Sequence, residues 1–350
     1  MAIEDACAEE FAGAVALWIA KRQRKLLAKR YTKNLQAYKL YLAGHYHLGR
    51  RSRAAVEKAI SCFRESVESD PEYAMAFAGL AASYALLAML GPVDAAKYTP
   101  KARIAALNAL EGDETLAEAR SALAFVKWHY EWDWRGAESE FRRILKFYPN
   151  DALTRQWLGL MLVEQGSCAE AIKQAARAHQ LEPKSVAIRA NLATVLMLAG
   201  RGKHAADEAR EALRLNPNSL RAHWVLARVL QADGEQDAAI KMLEAASKRA
   251  LDSPMIPGSL GHCYATQGRK DRALDVLRRI EELSDQNAWA YARALTYLGL
   301  GRVPEALECL AQGNAGHDFH IVLLKVGRRL DEIRGHPRFR AIAKAVGLEG

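Results

Sequence analysis

Apolar and polar residues follow each other with helical spacing along most of the chain, and the pattern itself recurs every 34 residues. Ala137, Ala171, Ala205, Ala239 and Ala273 stand 34 apart, and Ala306 follows after 33. Twelve residues before the first five alanines lie Phe125, Gly159, Ala193, Ala227 and Gly261. In the same register run Ala124, Leu158, Leu192, Leu226 and Leu260, then Trp128, Leu162, Leu196, Leu230 and Tyr264. Small residues at fixed positions let two helices approach, and large apolar residues between them interlock on one face. Each unit therefore reads as helix A, a short turn and helix B.

Turn residues punctuate the same frame. Gly166, Gly200, Gly234 and Gly268 fall where helix A must end in a left-handed residue, a conformation glycine adopts without strain. Pro71, Pro149, Pro183 and Pro217 follow the second helices and stop them. No sustained period-2 alternation and no Asn-Gly or Asp-Gly hairpin turn appears, so the expected fold is all-α. Eight units are expected, at roughly 37–71, 72–113, 114–150, 151–184, 185–218, 219–253, 254–286 and 287–315. About nine extra residues in the second unit are expected to form a loop around Leu90 to Pro100.

Composition removes several other classes. Of 350 residues half are apolar and 26% charged, too hydrophobic for a disordered chain. Five cysteines lie far apart with no CxxC spacing, which excludes a zinc ribbon and points to reduced thiols. The apolar run Phe11 to Ala20 is half of the roughly 20 residues a membrane span needs, and acidic residues precede it where a secretory signal would be basic. No transmembrane segment is expected, and the expected location is the cytoplasm.

Charge is uneven. The net charge is +9, yet residues 21–64 hold thirteen Lys and Arg against the single acid Glu57, which leaves the rest slightly acidic. Lys21, Arg22, Arg24, Lys25, Lys29, Arg30, Arg50, Arg51 and Arg53 form the densest part of this basic patch. An acidic partner is its candidate ligand, and a solvated helix end is the plainer reading. No recognition helix, finger or basic-aromatic sheet pattern accompanies it, so sequence-specific nucleic-acid binding is not expected.

Catalytic chemistry finds no foothold. There is no phosphate loop, dinucleotide fingerprint or nucleophile elbow. His317 and His320 have a spacing that two metal ligands on a helix would use, but no accompanying carboxylate pattern, so neither a metal nor another cofactor is expected. The run Trp128, His129, Tyr130, Trp132, Trp134 straddles the turn of the third unit. Trp132 takes the place of the usual cap glycine and Asp133 is positioned to cap the next helix, so the run reads as a structural corner rather than a stacking platform.

This pattern of small residues, glycine turns and prolines resembles the tetratricopeptide repeat (TPR). The resemblance implies a right-handed α-solenoid of about eight units at 37–315, a basic amphipathic N-terminal region at 1–36 and a C-terminal capping segment at 316–350. It also implies a non-catalytic scaffold binding a protein or peptide partner in a concave groove lined by the A helices. Mapped onto that register, Gln156, Asn191, Thr194, Arg221, Trp224, Arg228 and His262 are the candidate groove residues, with Arg221, Trp224 and Arg228 suited to a carboxylate beside an apolar side chain. The segments AKRYTKNLQAYKLYLAGHYH, DPEYAMAFAGLAASYALLA and YEWDWRGAESEFRRIL, with the ending LLKVGRRLDEIRGHPRFRAIAKAVGL, are similar to the TPR region that follows cyclase, winged-helix or Ser/Thr kinase domains in bacterial signalling proteins. The ending departs from that family at Gly327 and Arg328, where an Asp-Pro pair is usual. The first 30 residues resemble the last helix of the preceding domain, so the alternative to a free-standing scaffold is a regulatory fragment of a nucleotide cyclase, kinase or transcription regulator whose effector domain is absent from this chain.

Overall fold

In the computed structural model, residues 32–49, 53–89, 95–249, 254–283 and 289–348 are described. The basic residues Lys21, Arg22, Arg24, Lys25, Lys29, Arg30, Arg50 and Arg51 lie outside them, as does the expected N-terminal helix.

Among the described residues sixteen α-helices follow one another in antiparallel pairs, and no strand occurs. The pairs are α1 (Leu35–Gly49) with α2 (Arg53–Ser69), α3 (Ala74–Met89) with α4 (Ala95–Gly112), α5 (Ala117–Val126) with α6 (Trp134–Phe147), and α7 (Ala152–Glu164) with α8 (Cys168–Leu181). They continue as α9 (Val186–Leu198) with α10 (Gly202–Leu215), α11 (Leu220–Ala232) with α12 (Gln236–Ser247), α13 (Met255–Thr266) with α14 (Lys270–Leu283), and α15 (Ala290–Gly299) with α16 (Val303–Ala315). Each pair packs on the next to make an α-solenoid. The extra residues of the second unit are not a loop throughout. Ala95 to Pro100 belong to α4, which reaches 18 residues, and the Thr99 hydroxyl donates to Ala95 O at 2.6 Å within it.

The recurring small residues do what their spacing requires. Ala137, Ala171, Ala205, Ala239, Ala273 and Ala306 are all fully buried. A Cβ on Gly159 would lie 3.1 Å from Ala171 O and 3.2 Å from Ala175 N, and one on Gly258 would lie 2.7 Å from the Ala292 Cα. The turns are equally regular. Gly166 takes φ +88°, and Ser167 N donates back to Leu162 O at 2.8 Å, the six-to-one bond that satisfies the end of α7. In the third unit Trp132 replaces glycine at φ +52°, after a π-helical turn over Lys127–Glu131. Asp133 N donates to Lys127 O at 2.8 Å, and the Asp133 carboxylate accepts from Gly136 N at 2.9 Å.

The chain after α16 does not stop at the last pair. It turns back along the concave side through short 3₁₀ segments at Phe319–Leu323 and Arg328–Ile333 and ends in α17 (Pro337–Ala345). The Phe319 ring stacks on His129 with centroids 3.8 Å apart, and His317 stacks on Tyr130 and Trp132 at 4.1 and 4.7 Å. The Lys325 side chain passes Gly166 at the end of α7, and a guanidinium nitrogen of Arg328 reaches Gly200 after α9. After α17 the Trp134 indole donates to Val346 O at 2.7 Å. Ile321, Val322, Leu323, Leu324, Leu330, Ile333, Phe339, Ile342, Val346 and Leu348 are all buried. At roughly 1.5–3 kcal/mol for each large apolar side chain withdrawn from water, this segment is a fixed part of the fold.

Replacing Gly258 by Ala forces α13 away from α15, and equilibrium urea unfolding should show a loss of about 1–3 kcal/mol. Trp134→Phe keeps an aromatic ring, smaller than the indole, and leaves Val346 O without its donor; a loss of about 1–3 kcal/mol is expected, and an unchanged stability would show that the returning segment is not held there.

Candidate functional site

The A helices present their concave side in the order α5, α7, α9, α11, α13, and the candidate groove residues lie along it. Asn191 on α9 donates through Nδ2 to Gln156 Oε1 on α7 at 2.9 Å, and both are buried. Thr194 is buried and returns its hydroxyl to Ala190 O at 2.9 Å. The Trp224 indole donates to Ser259 Oγ on α13 at 3.1 Å, and the Arg228 guanidinium sits over the Trp224 ring at 5.8 Å. Gln231 Nε2 and His262 Nδ1 are 3.2 Å apart. Gln156, Asn191 and Trp224 thus tie successive A helices together and Thr194 bonds back within α9, while Arg221 is exposed and Arg228 and His262 are half-buried.

Arg221 and Arg228 have different electrostatic surroundings. Glu164 accepts from the Trp128 indole at 3.0 Å, and burial holds its pKa well above the ordinary carboxylate value, partly offset by that bond and by the charge of Arg221. Arg228 has no such acid nearby. Burial lowers its pKa, the charge of Arg328 lowers it further, and Tyr291 and Cys263 act in the opposite sense. Burial also holds His262 and His129 well below the ordinary histidine value, with Arg329 and Arg228 adding to the effect on His262 and His320 to that on His129.

Two of the cavities among the described residues bear on the concave side. One, about 270 Å³, lies between the A helices and the returning segment and is lined by Trp128, Glu164, Arg221, Trp224, Phe319 and Leu323, among others. The second, about 460 Å³, lies nearer the N-terminal end, between α1, α3, α5 and α7. Leu48, Ala82, Leu86, Phe125, Leu153 and Trp157 give it apolar walls. His45 Nε2 stands 3.6 Å from the Glu118 carboxylate on the same surface. Burial pushes Glu118 up to about 7 and lowers His45.

Arg53, the described member of the basic patch, is exposed and pairs with Glu57 at 3.3 Å one turn along α2. His317 and His320 do not converge: His317 is held between Tyr130 and Trp132, and His320 Nδ1 faces Asp318 Oδ1 at 3.6 Å. Among the described residues no group of three or more His, Cys, Asp or Glu is placed to hold a metal ion. The described cysteines, Cys62, Cys168, Cys263 and Cys309, are free thiols. No described helix is long and apolar enough to cross a membrane. The sequence reading missed the contribution of the ending to the concave side; its one outward sign is the departure at Gly327 and Arg328 from the usual family ending.

Residues 158–219 and 224–288 match a family model described as tetratricopeptide repeat. The chain carries tetratricopeptide repeats. A TPR protein from Parabacteroides merdae is 13% identical, with 76% of this chain and 99% of that one covered at a TM-score of 0.54. Yeast Tom70 is 16% identical, with 91% and 69% covered at a TM-score of 0.53. The human IFIT1 dimer with m7Gppp-AAAA is 16% identical, with 74% and 67% covered at a TM-score of 0.56. At such identities the likeness is one of fold. No curated protein matches the chain significantly.

Glu118 gives the TPR array a definite pH response. Its pKa in the folded chain is raised, so its contribution to stability is fully present below the ordinary carboxylate value of 4.5 and is lost as pH rises through about 7. His45, whose pKa is lowered, acts in the opposite sense, and it is retained in the variant proposed for comparison. Glu118→Gln should therefore gain melting temperature relative to the parent as pH rises from about 4.5 to about 7. Parallel melting curves for the two proteins across that window would disprove the assignment.

Proposed function

We propose that this TPR array is a non-catalytic scaffold that binds a protein or peptide partner on its concave side, and that an apolar segment of the partner enters between the first four A helices. The observation that carries this reading is the cavity of about 460 Å³ between α1, α3, α5 and α7. Its apolar walls and few polar groups are those of a site that anchors side chains rather than one that performs chemistry. Leu153 lines it and is 42% exposed, which leaves an apolar side chain at its rim within reach of a partner. The C-terminal half of the groove is occupied by the chain's own ending, which directs a partner toward the N-terminal half.

A role in bacterial signalling, in the cytoplasm, is supported by the similarity of residues 28–47, 70–88, 130–145 and 323–348 to the TPR region of signalling proteins. The excess of basic residues over 21–64 supports an acidic partner or acidic flank beside the same end of the array.

Peptides selected from a random display library against the whole chain should be apolar at their anchor positions. Leu153→Glu should weaken the best of them by roughly tenfold or more without lowering the melting temperature. Undiminished binding to Leu153→Glu, together with loss on changing Trp224 and Arg228, would move the partner site to the C-terminal half.

A further inference from the structure

The returning segment brings arginines into the groove where no acid awaits them. Arg329 donates from Nη1 to Ser259 Oγ at 3.1 Å and from Nη2 to Gln231 Oε1, which fixes its guanidinium between α11 and α13. Gln231 in turn contacts His262, and Ser259 also receives the Trp224 indole. Arg329 Nε is buried and has no hydrogen-bond partner. Arg228 stands over the face of Trp224; the charge of Arg328 bears unfavourably on Arg228, and that of Arg228 on Arg329. Among the described residues none of these three arginines forms an ion pair, whereas Arg120, Arg189 and Arg334 each do. Asp318, an acid acting on the neighbouring Tyr291, is already engaged by the backbone N–H groups of Tyr291 and His320 at 2.8 and 2.9 Å.

Neutral neighbours do not remedy this arrangement. Ser259, Gln231 and Trp224 orient the guanidinium groups but supply no negative charge, and burial depresses the basicity of Arg228, Arg329 and His262 alike. Partly desolvated like charges are costly unless a counter-charge is present, and guanidinium forks match the oxygens of an oxyanion two at a time. Arg328 is exposed and Arg228, Arg329 and His262 are half-buried, so an ion can enter from solvent. A single carboxylate would neutralise one charge of three. A phosphate group, with more than one negative charge and three or four oxygens, fits the set better.

We propose that Arg228, Arg328 and Arg329, beside His262, form a binding site for a phosphate group, either as free phosphate or as a small phosphate ester. The site is composite: Arg228 and His262 come from the TPR array, Arg328 and Arg329 from the ending that folds back into it. It stands whether or not the N-terminal half of the groove takes a partner.

Isothermal titration and thermal shift of the whole chain with inorganic phosphate, at ionic strength held constant with chloride, test this. A saturable rise in melting temperature is expected with phosphate and not with acetate. Phosphoserine, run in parallel, distinguishes the sources: tighter binding than inorganic phosphate assigns the site to an ester, weaker binding to the free ion. Arg228→Met should weaken phosphate binding roughly ten- to a hundredfold, the loss of one charge-assisted contact of about 1.5–3 kcal/mol. Arg328→Gln, at an exposed position, should weaken it at an unchanged melting temperature and carries the test if the first variant folds poorly. No saturable response beyond chloride, an equal response to acetate, or full binding by both variants would overturn the proposal.

Discussion

The contact between the C-terminal ending and the third helix pair governs much of what this TPR protein can do. A solenoid gains stability from nearest neighbours, so each pair of helices feels only the pairs beside it. Here the ending crosses the superhelix: Asp318 holds the start of α15 in the eighth pair, while Phe319 and Val346 reach His129 and Trp134 in the third. Six repeat pairs and the ending share one continuous hydrophobic cluster as a result. An open spring becomes a closed frame from the third pair onward, and the first two pairs, with their own smaller clusters, remain outside that closure.

Closure divides the concave face into two chemical environments. At the N-terminal end the A helices face solvent with apolar walls and two half-buried carboxylates, Glu118 and Asp151. Further along, the A helices face the chain's own ending; Gln156, Asn191 and Trp224 spend their polar atoms on neighbouring helices, Thr194 bonds within its own, and all four are buried. The two arginines grouped by sequence register thereby separate in role. Arg221 acts on an acid, Glu164, whose proton affinity burial has raised; Arg228 meets further arginines. About two turns of helix, with their position relative to the incoming ending, decide which arginine is compensated.

The repeat itself was legible in the residues because its causes are local. A buried alanine about every 34 residues and a glycine at the end of four successive A helices, at Gly166, Gly200, Gly234 and Gly268, act within one or two turns of the chain, and sequence shows them directly. Even the exception at Trp132 could be read, because Asp133 follows it as a cap. The second unit was misjudged at Pro100, since proline normally ends a helix and here lies inside α4, where the surrounding alanines pack against α3 and keep the helix going. The destination of the ending was not legible at all. Its partners lie about two hundred residues away, it has no period to align, and its short 3₁₀ segments carry no amphipathic stripe.

The aromatic corner links the legible part to the hidden part. Trp128, Trp132 and Trp134 read as a corner because a turn that lacks glycine needs bulk around it to hold a left-handed tryptophan in place. The same bulk leaves a flat aromatic surface at the edge of the third pair, and His129 and Tyr130 extend it. A ring arriving from elsewhere can stack there, and His317 and Phe319 are those rings. The unusual turn therefore serves two levels at once: it closes helix A of its own unit without glycine, and it provides the seat on which the far end of the chain docks. Once that seat is occupied, the register of the ending is set, and Arg328 and Arg329 fall beside Gly200, Gln231 and Ser259 rather than in solvent. The cationic cluster of the groove thus follows from how one tryptophan-rich turn is built.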